Sequence, residues 1–415
     1  MSAKKLEQIE IEAPYELPEG WKWCRLGDVA DCLDSFRKPI NSTERANRTG
    51  RIPYYGATGQ VGWIDDFLTD EELVLLGEDG APFLDLIKDK AYIIAGKAWV
   101  NNHAHILRSK YGATGNKYLL NYLNNFNYTE YVNGTTRLKL TQSAMLSIPF
   151  PLPPTLAEQK RIVSRIETLF AKLDEAEEKT RAVLDGFETR KAAILHKAFT
   201  GELTANWRKA NGVSDDSREE KRFDSCIAKM QNGLSKRSGT DGEETVVLRL
   251  ANIGENDFDV SDLRTIKLTP KELENYSLTK NDVVMIRVNG SKTNVGRQIL
   301  VKNDDGWSFC DHIIRITFES FCLPNYMVYF SNTKEYKDYV EDNMVSSAGQ
   351  NTISRKGLSN LTLTLPSLPE QQEIVRILDT VLDKESRAKE AAQTVLDQIA
   401  LLKKSILARA FRGKI

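Results

Sequence analysis

The stretch PPTLAEQKRIVSRIETLF, residues 153–170, returns far down the chain as LPSLPEQQEIVRILDTVL, residues 365–382. The copies are offset by 212 residues at Glu158/Glu370, Gln159/Gln371, Ile162/Ile374 and Val163/Val375. The same offset still holds at Ile194/Ile406, Leu195/Leu407, Ala198/Ala410, Phe199/Phe411 and Gly201/Gly413. Neither copy has gained or lost a residue in between. Residues 156–199 hold one glycine and no proline, with Pro153 and Pro154 before them and Gly201 after, which are helix start and stop signals. Ile162, Ile166, Leu169, Leu173, Ala176, Thr180, Val183, Phe187, Arg190 and Ile194 recur in steps of four and three, a heptad seam. The second copy gives Ile374, Leu378, Val381, Glu385, Ala388, Ala392, Val395, Ile399, Leu402 and Ile406. Thr180, Arg190 and Glu385 are its polar flaws. A helix of this length reaches about 65 Å at about 1.5 Å per residue. An apolar stripe that long needs a cover, and the nearest one is its own duplicate.

The repeat extends past the helices. LVLLGEDGAPF (73–83) resembles DVVMIRVNGSKTN (282–294), which places Gly80 against Gly290. NNHAHILR (101–108) resembles CDHIIRIT (310–317), with His103 against His312, and LKLTQSAMLSIPFPLP (138–153) resembles QNTISRKGLSNLTLTLPSLP (350–369). These segments have strand-and-turn texture. The fold expected is α+β: two similar globular domains separated by two long antiparallel coiled-coil helices, with an internal pseudo-two-fold symmetry. The boundaries read as 1–153 and 204–365 for the domains, and 154–203 and 366–415 for the helical spacers.

Composition limits the function. Hydrophobic residues make up 41% of the 415, charged residues 28%, and the formal net charge is −1, so nucleic-acid affinity must come from local patches. No run of eighteen apolar residues spans a membrane, and MSAKKLEQIEIEAPYEL lacks a secretory apolar core. Five scattered cysteines, never spaced C-x-x-C, read as free thiols of a cytoplasmic protein and not as a disulfide frame or zinc site. There is no N-P-P-[YF] or D-P-P-[YF] tetrapeptide. NGSKT (289–293) fails the phosphate-loop pattern because Met285 stands where its first glycine is required.

Module, P-x-L-x-E-Q-x-x-I-V helix, module, P-x-L-P-E-Q-Q-x-I-V helix: this order resembles the specificity (S) subunit of type I restriction–modification enzymes over essentially the whole chain. LGEDGA (76–81), NNHAHILR (101–108) and HKAFTGELTANWR (196–208) are close to that family's phrases. The resemblance implies that the modules are target-recognition domains and that the helices are spacers packing antiparallel and docking two methyltransferase subunits. It also implies that the chain itself is not catalytic. S-adenosylmethionine, ATP and Mg are then expected on partner subunits, the motor-nuclease subunits among them, with double-stranded DNA as the ligand.

Local charge nominates the DNA-binding residues. FRKPINSTERANRTGRIPYY (36–55) offers Arg37, Lys38, Arg45, Arg48 and Arg51, and NNHAHILR offers Asn101 and Asn102. RVNGSKTNVGR (287–297) offers Arg287, Asn289, Lys292, Asn294 and Arg297. Before the spacers, Arg137 and Lys139 in one module answer to Gln350, Asn351, Arg355 and Lys356 in the other. Arg and Lys neutralise phosphates or pair with guanine, and Asn and Gln pair bidentately with adenine. His103 and His312 read as satisfied structural histidines, and Glu78 and Asp79 as a turn, since their counterparts are Val288 and Asn289. Val163, Phe170, Leu184, Leu195 and Phe199, with Val375, Leu382, Leu396, Leu407 and Phe411, are apolar positions beside the seam, open either to partner docking or to intramolecular packing. Two other classes stay open: a DNA-modifying enzyme with an unrecognised site, and a coiled-coil scaffold whose modules bind protein.

Overall fold

A computed structural model describes residues 14–415. The chain divides into two compact units, one holding the residues up to Ala182 together with Ala392–Ile415, the other Val183–Ala391. The divisions fall inside the long helices instead of at their ends, so each unit carries part of both spacers.

The first unit is built on a four-stranded sheet in the order Ala30–Cys32, Ala104–Ser109, Leu73–Gly77, Ala91–Ile94. Its central strand, LVLLG, is buried throughout because both faces are covered. Val74 and Leu76 join one apolar cluster, Leu73 and Leu75 another. The strand's period of two thus becomes a two-sided core. A second sheet runs Gly59–Ile64, Ile52–Gly56, Lys97–Val100, Thr69–Asp70, with Ile52–Gly56 and Lys97–Val100 parallel. Lys22–Arg25 pairs antiparallel with Pro149–Leu152 and closes the unit beside the spacer.

The second unit repeats the first of these sheets strand for strand and the second with one strand fewer. Ile227–Asn232, Ile313–Phe318, Val283–Ile286 and Gln298–Leu300 form its four-stranded sheet in that order. Val283 and Met285 face one cluster, Val284 and Ile286 the other. Thr265–Leu268, Glu243–Leu248 and Ser308–Phe309 form its second sheet, again with one parallel pair. Glu219–Arg222 pairs with Thr362–Leu365 as the closing ladder. The two modules share a topology although little of their sequence is shared.

The spacers differ from one another. The first breaks at Gly186 into Leu156–Asp185 and Phe187–Thr200, while the second runs unbroken over Leu368–Ala410. Gly186 costs about 1 kcal/mol against Ala inside a helix, and the second copy has Gln398 in its place. Within the first unit, Arg161 bonds the carbonyl of Ile415 and Lys403 reaches Asp174 and Glu177, so the helical segments there run antiparallel. Within the second, Arg190 meets Glu385 at 2.9 Å and Lys389 lies over the Phe187 ring. Two flaws of the seam therefore neutralise each other.

Of the expected seam, Ile162, Ile166, Ile374, Leu378, Phe187 and Ile399 are buried, and Leu169, Leu173, Ile194, Val381 and Ile406 are half-buried. Val183, Val395 and Leu402 are exposed, and Leu184, Leu396 and Lys403 turn inward in their place. A four–three spacing through Ala392, Ile399 and Ile406 fits either row. The row that packs is the one placing Lys403 against two carboxylates. The apolar positions beside the seam go to the modules. Val163, Leu407 and Phe411 sit in the first core, Leu195 and Val375 in the second, where Phe199 and Leu382 pack against it. The equivalent Phe411 and Phe199 insert edge-on or tilted against Tyr118 and Tyr122 in one unit and Tyr326 in the other. Gly201 (φ +89°) and Gly413 (φ +67°) end the helices in left-handed geometry, and a side chain at Gly413 would strike Pro18.

The repeated Glu-Gln pair anchors the second spacer. Glu370 Oε1, fully buried, accepts from Thr204 at 2.6 Å, Arg208 at 2.7 Å and Arg218 at 2.8 Å. Gln371 donates to the carbonyls of Phe321 and Pro366 and accepts from the Leu323 amide. Glu370→Ala would leave the buried Arg218 guanidinium without its carboxylate and Arg208 with only the exposed Asp215. It is expected to cost about 3–5 kcal/mol of stability, read as a lowered denaturant midpoint, whereas Glu373→Ala, which removes only a pair with the exposed Arg376, should change it by under about 1 kcal/mol.

Candidate nucleic-acid interface

In the first unit the sequence candidates gather around the Glu78–Gly80 turn. The short strands Val132–Asn133 and Lys139–Leu140 form a hairpin beside it, joined by the bridge between Asp79 and Lys139. Gly80 adopts φ +71°, and its missing side chain makes room for the Arg137 guanidinium. Arg137 is 59% exposed and bonds Asp79 at 2.9 Å; Lys139 is 53% exposed and lies 3.1 Å from Glu78. His103 holds the same Asp79 carboxylate at 2.6 Å. Asn102 is exposed nearby.

Arg37 does not belong to this exposed set. It is largely buried, paired with Asp34 at 3.1 Å and with Glu78, and it also bonds the Ala104 carbonyl. His105 lies under it with Nδ1 at 2.6 Å from Asp34 and Nε2 at 2.9 Å from the Leu140 carbonyl. Asp34, Glu78 and His105 could offer three ligands to a metal ion. Arg37 and Lys139 already neutralise those carboxylates, so the donor set does not fit a cation. Asn101 is buried as well, its side chain accepting from the His103 amide.

Burial pushes the carboxyls of Asp34 and Glu78 up, but their partners outweigh it and hold both below the ordinary range. For Asp34 these are His105, the Ile106 amide and Arg37; for Glu78 they are Arg37, Lys139 and His105. A folded-state value below the unfolded one means stability that is present at neutral pH and lost as pH falls through the carboxylate range. Thermal midpoints measured from pH 7 down to pH 3 should therefore fall, and Arg37→Ala should lower the neutral midpoint while shrinking that fall.

The rest of the 36–55 segment lies on aromatic rings. Arg48 covers Trp99 at 4.6 Å and pairs with Asp65 at 2.6 Å; Arg45 covers Tyr54 at 5.0 Å, and Lys38 lies 5.8 Å from the Trp99 ring. Arg51 is exposed. Trp63, in the adjoining hairpin, is 56% exposed.

In the second unit Val288–Asn289 pairs with Gln350–Thr352, which also pairs with Val345–Ser347. Asn351 is buried and fixes this turn, donating to the carbonyls of Asn289 and Gly290 and accepting from Ser346. Its polar atoms are thus engaged within the fold. Asn289 accepts from the Ser291 amide, Arg297 bonds Asn294 at 2.7 Å, and Lys292 lies 3.6 Å from Glu341. Gln350, Arg355 and Lys356 are exposed, and Arg287 is half-buried at the strand end.

Sequence reading missed a basic concavity in this unit. Lys236, Arg237, Arg249, Arg264 and His312 rim a cavity of about 260 Å³ floored by Val247 and Ile266. Pairing of Glu243–Leu248 with Thr265–Leu268 brings together cations far apart in sequence. Only Lys236–Arg237, in LSKRSGT, gave a local signal. Glu272, Asp311 and Asp262 hold three of them at 2.8 Å.

A family profile described as the type I restriction modification DNA specificity domain matches residues 18–185 and again residues 228–395. The chain belongs to that family. The StySPI specificity subunit of Salmonella potsdam is 35% identical over 276 residues, and the EcoKI specificity subunit of Escherichia coli strain K12 is 29% identical over 271. Each alignment covers 65% of this chain and 58% of the relative, so the chain matches little more than half the length of either. A chain of a solved type I R-M system has the same fold, with TM-score 0.69 and 18% identity over 97% of this chain and 100% of that one. The HsdS subunit from Thermoanaerobacter tengcongensis gives TM-score 0.56 and 18% identity over 98% and 100%. That family is named for DNA specificity. Among the described residues no helix is long and apolar enough to cross a membrane.

Proposed function

We propose that this chain is the DNA-recognition subunit of a type I restriction–modification complex. It reads a split, asymmetric duplex target with two unlike modules and leaves methylation and cleavage to partners. One observation supports the reading: the same four-stranded sheet occurs twice, and the equivalent turn and hairpin carry different polar side chains in each copy. One scaffold with two sets of readers suits two different half-sites. Dimeric readers place half-sites about one helical turn, about 34 Å, or multiples of it apart. A spacer of 43 residues, about 65 Å long, is of that order.

Exposed cations of the modules set register on phosphates, and a few Arg, Asn and Gln side chains choose bases. Two methyltransferase subunits dock on the spacers, where Val395 and Leu402, seven residues apart, leave an exposed apolar row. Those subunits flip an adenine for methylation and hold S-adenosylmethionine, and motor-nuclease subunits bring ATP and Mg. Replacing residues of the second module by another family member's should change one half of the methylated motif and leave the other, read by methylome sequencing. Methylation by the isolated chain would point instead to an enzyme in its own right, and assembly without any DNA binding to a scaffold. Arg287→Ala is expected to weaken target binding by about 1–3 kcal/mol and to relax selectivity only in the half-site read by that module. Unchanged affinity across a panel of single-base variants would refute it.

A further inference from the structure

The two modules present their positive charge in different electrostatic settings at the same place in the fold. In the second, the turn is Val288, Asn289 and Gly290, and the hairpin against it, Val345–Ser347 with Gln350–Thr352, carries no charge. In the first, the equivalent turn is Glu78, Asp79 and Gly80, and the hairpin brings two exposed cations onto it. These carboxylates are only 12% and 19% exposed, and their backbone is fixed: Leu140 donates to the Glu78 carbonyl at 2.7 Å, Glu78 to His103 at 2.8 Å and Gly80 to Leu138 at 3.2 Å. Behind them Arg37 and His103 hold the acids in place. The acids are rigid and recessed; the cations are long, exposed and reach inward to them.

Resting on the DNA-reading role above, we infer that Glu78 and Asp79 act as a built-in competitor for phosphate, holding Arg137 and Lys139 so that the first module grips DNA only where cognate contacts offset the exchange. The carboxylates occupy the cations in the way a phosphate oxygen would, by charge-assisted hydrogen bonds. A random duplex offers only phosphates in return, and each acid left near it repels. A cognate duplex adds base contacts. The pair therefore lowers non-specific affinity more than specific affinity, and it belongs to one module only.

The test uses the full chain, a duplex bearing the target recovered by methylome sequencing, and a scrambled duplex of equal length. Asp79→Asn is expected to tighten binding to the scrambled duplex about threefold or more, to change cognate affinity less, and to steepen the salt dependence by about 0.9 in slope for each extra phosphate engaged. An unchanged ratio of the two affinities with an unchanged slope overturns the inference. So does a loss confined to the cognate duplex, which would make Asp79 a direct base reader. Should Asp79→Asn fail to melt cooperatively, Arg137→Gln carries the test: scrambled binding should hold while cognate binding falls, and an equal fall in both refutes the competitor role. If the wild-type chain does not prefer the target at all, the DNA-reading role fails, separately from this inference.

Discussion

A long helix with an apolar stripe is unstable in water until the stripe is covered, and much else in this chain follows from how that is done. Each unit covers part of both spacers. Near the modules the stripe is taken into the cores, with Phe411 and Phe199 as matching plugs. Away from them it is closed by the other spacer, through Ile399, Leu396 and Lys403 in one unit and Phe187 with Arg190–Glu385 in the other. The second copy of the E-Q motif serves that attachment through Glu370 and Gln371, whereas Glu158 of the first pairs with Arg161 on its own helix.

Much of this architecture was legible in the sequence because periodicity and duplication are local signals. The 212-residue offset and the four–three steps located both helices and predicted that the modules would be alike, and the order of their four-stranded sheets matches. What could not be read was which of two equally spaced rows faces inward. Val395 and Leu402 are as apolar as a seam requires, yet the packed row contains Lys403, chosen by acids on the opposite helix. Nor did composition show that a single glycine would divide one helix into two segments.

Polar candidates were harder, for a physical reason. A basic residue in a turn has the same sequence signature whether it faces solvent or an internal carboxylate. Arg37 and Asn351 stand in loops as polar as those of Arg51 and Gln350, but the first two hold the fold together and the last two face solvent. The basic concavity from Lys236 to Arg264 was invisible for the opposite reason: its members are adjacent only after strands pair. The buried partners Arg208 and Arg218 of Glu370 lie over 150 residues away in sequence and leave no local trace.

The glycine at position 186 makes the two spacers unequal in one respect. It keeps right-handed helical angles and its carbonyl accepts from the Arg190 amide at 3.0 Å, yet it replaces the Gln398 of the other copy. A residue without a side chain gives up more backbone freedom on entering a helix. Fraying of the first spacer would therefore begin at that turn, a weakness that duplication alone would not have introduced.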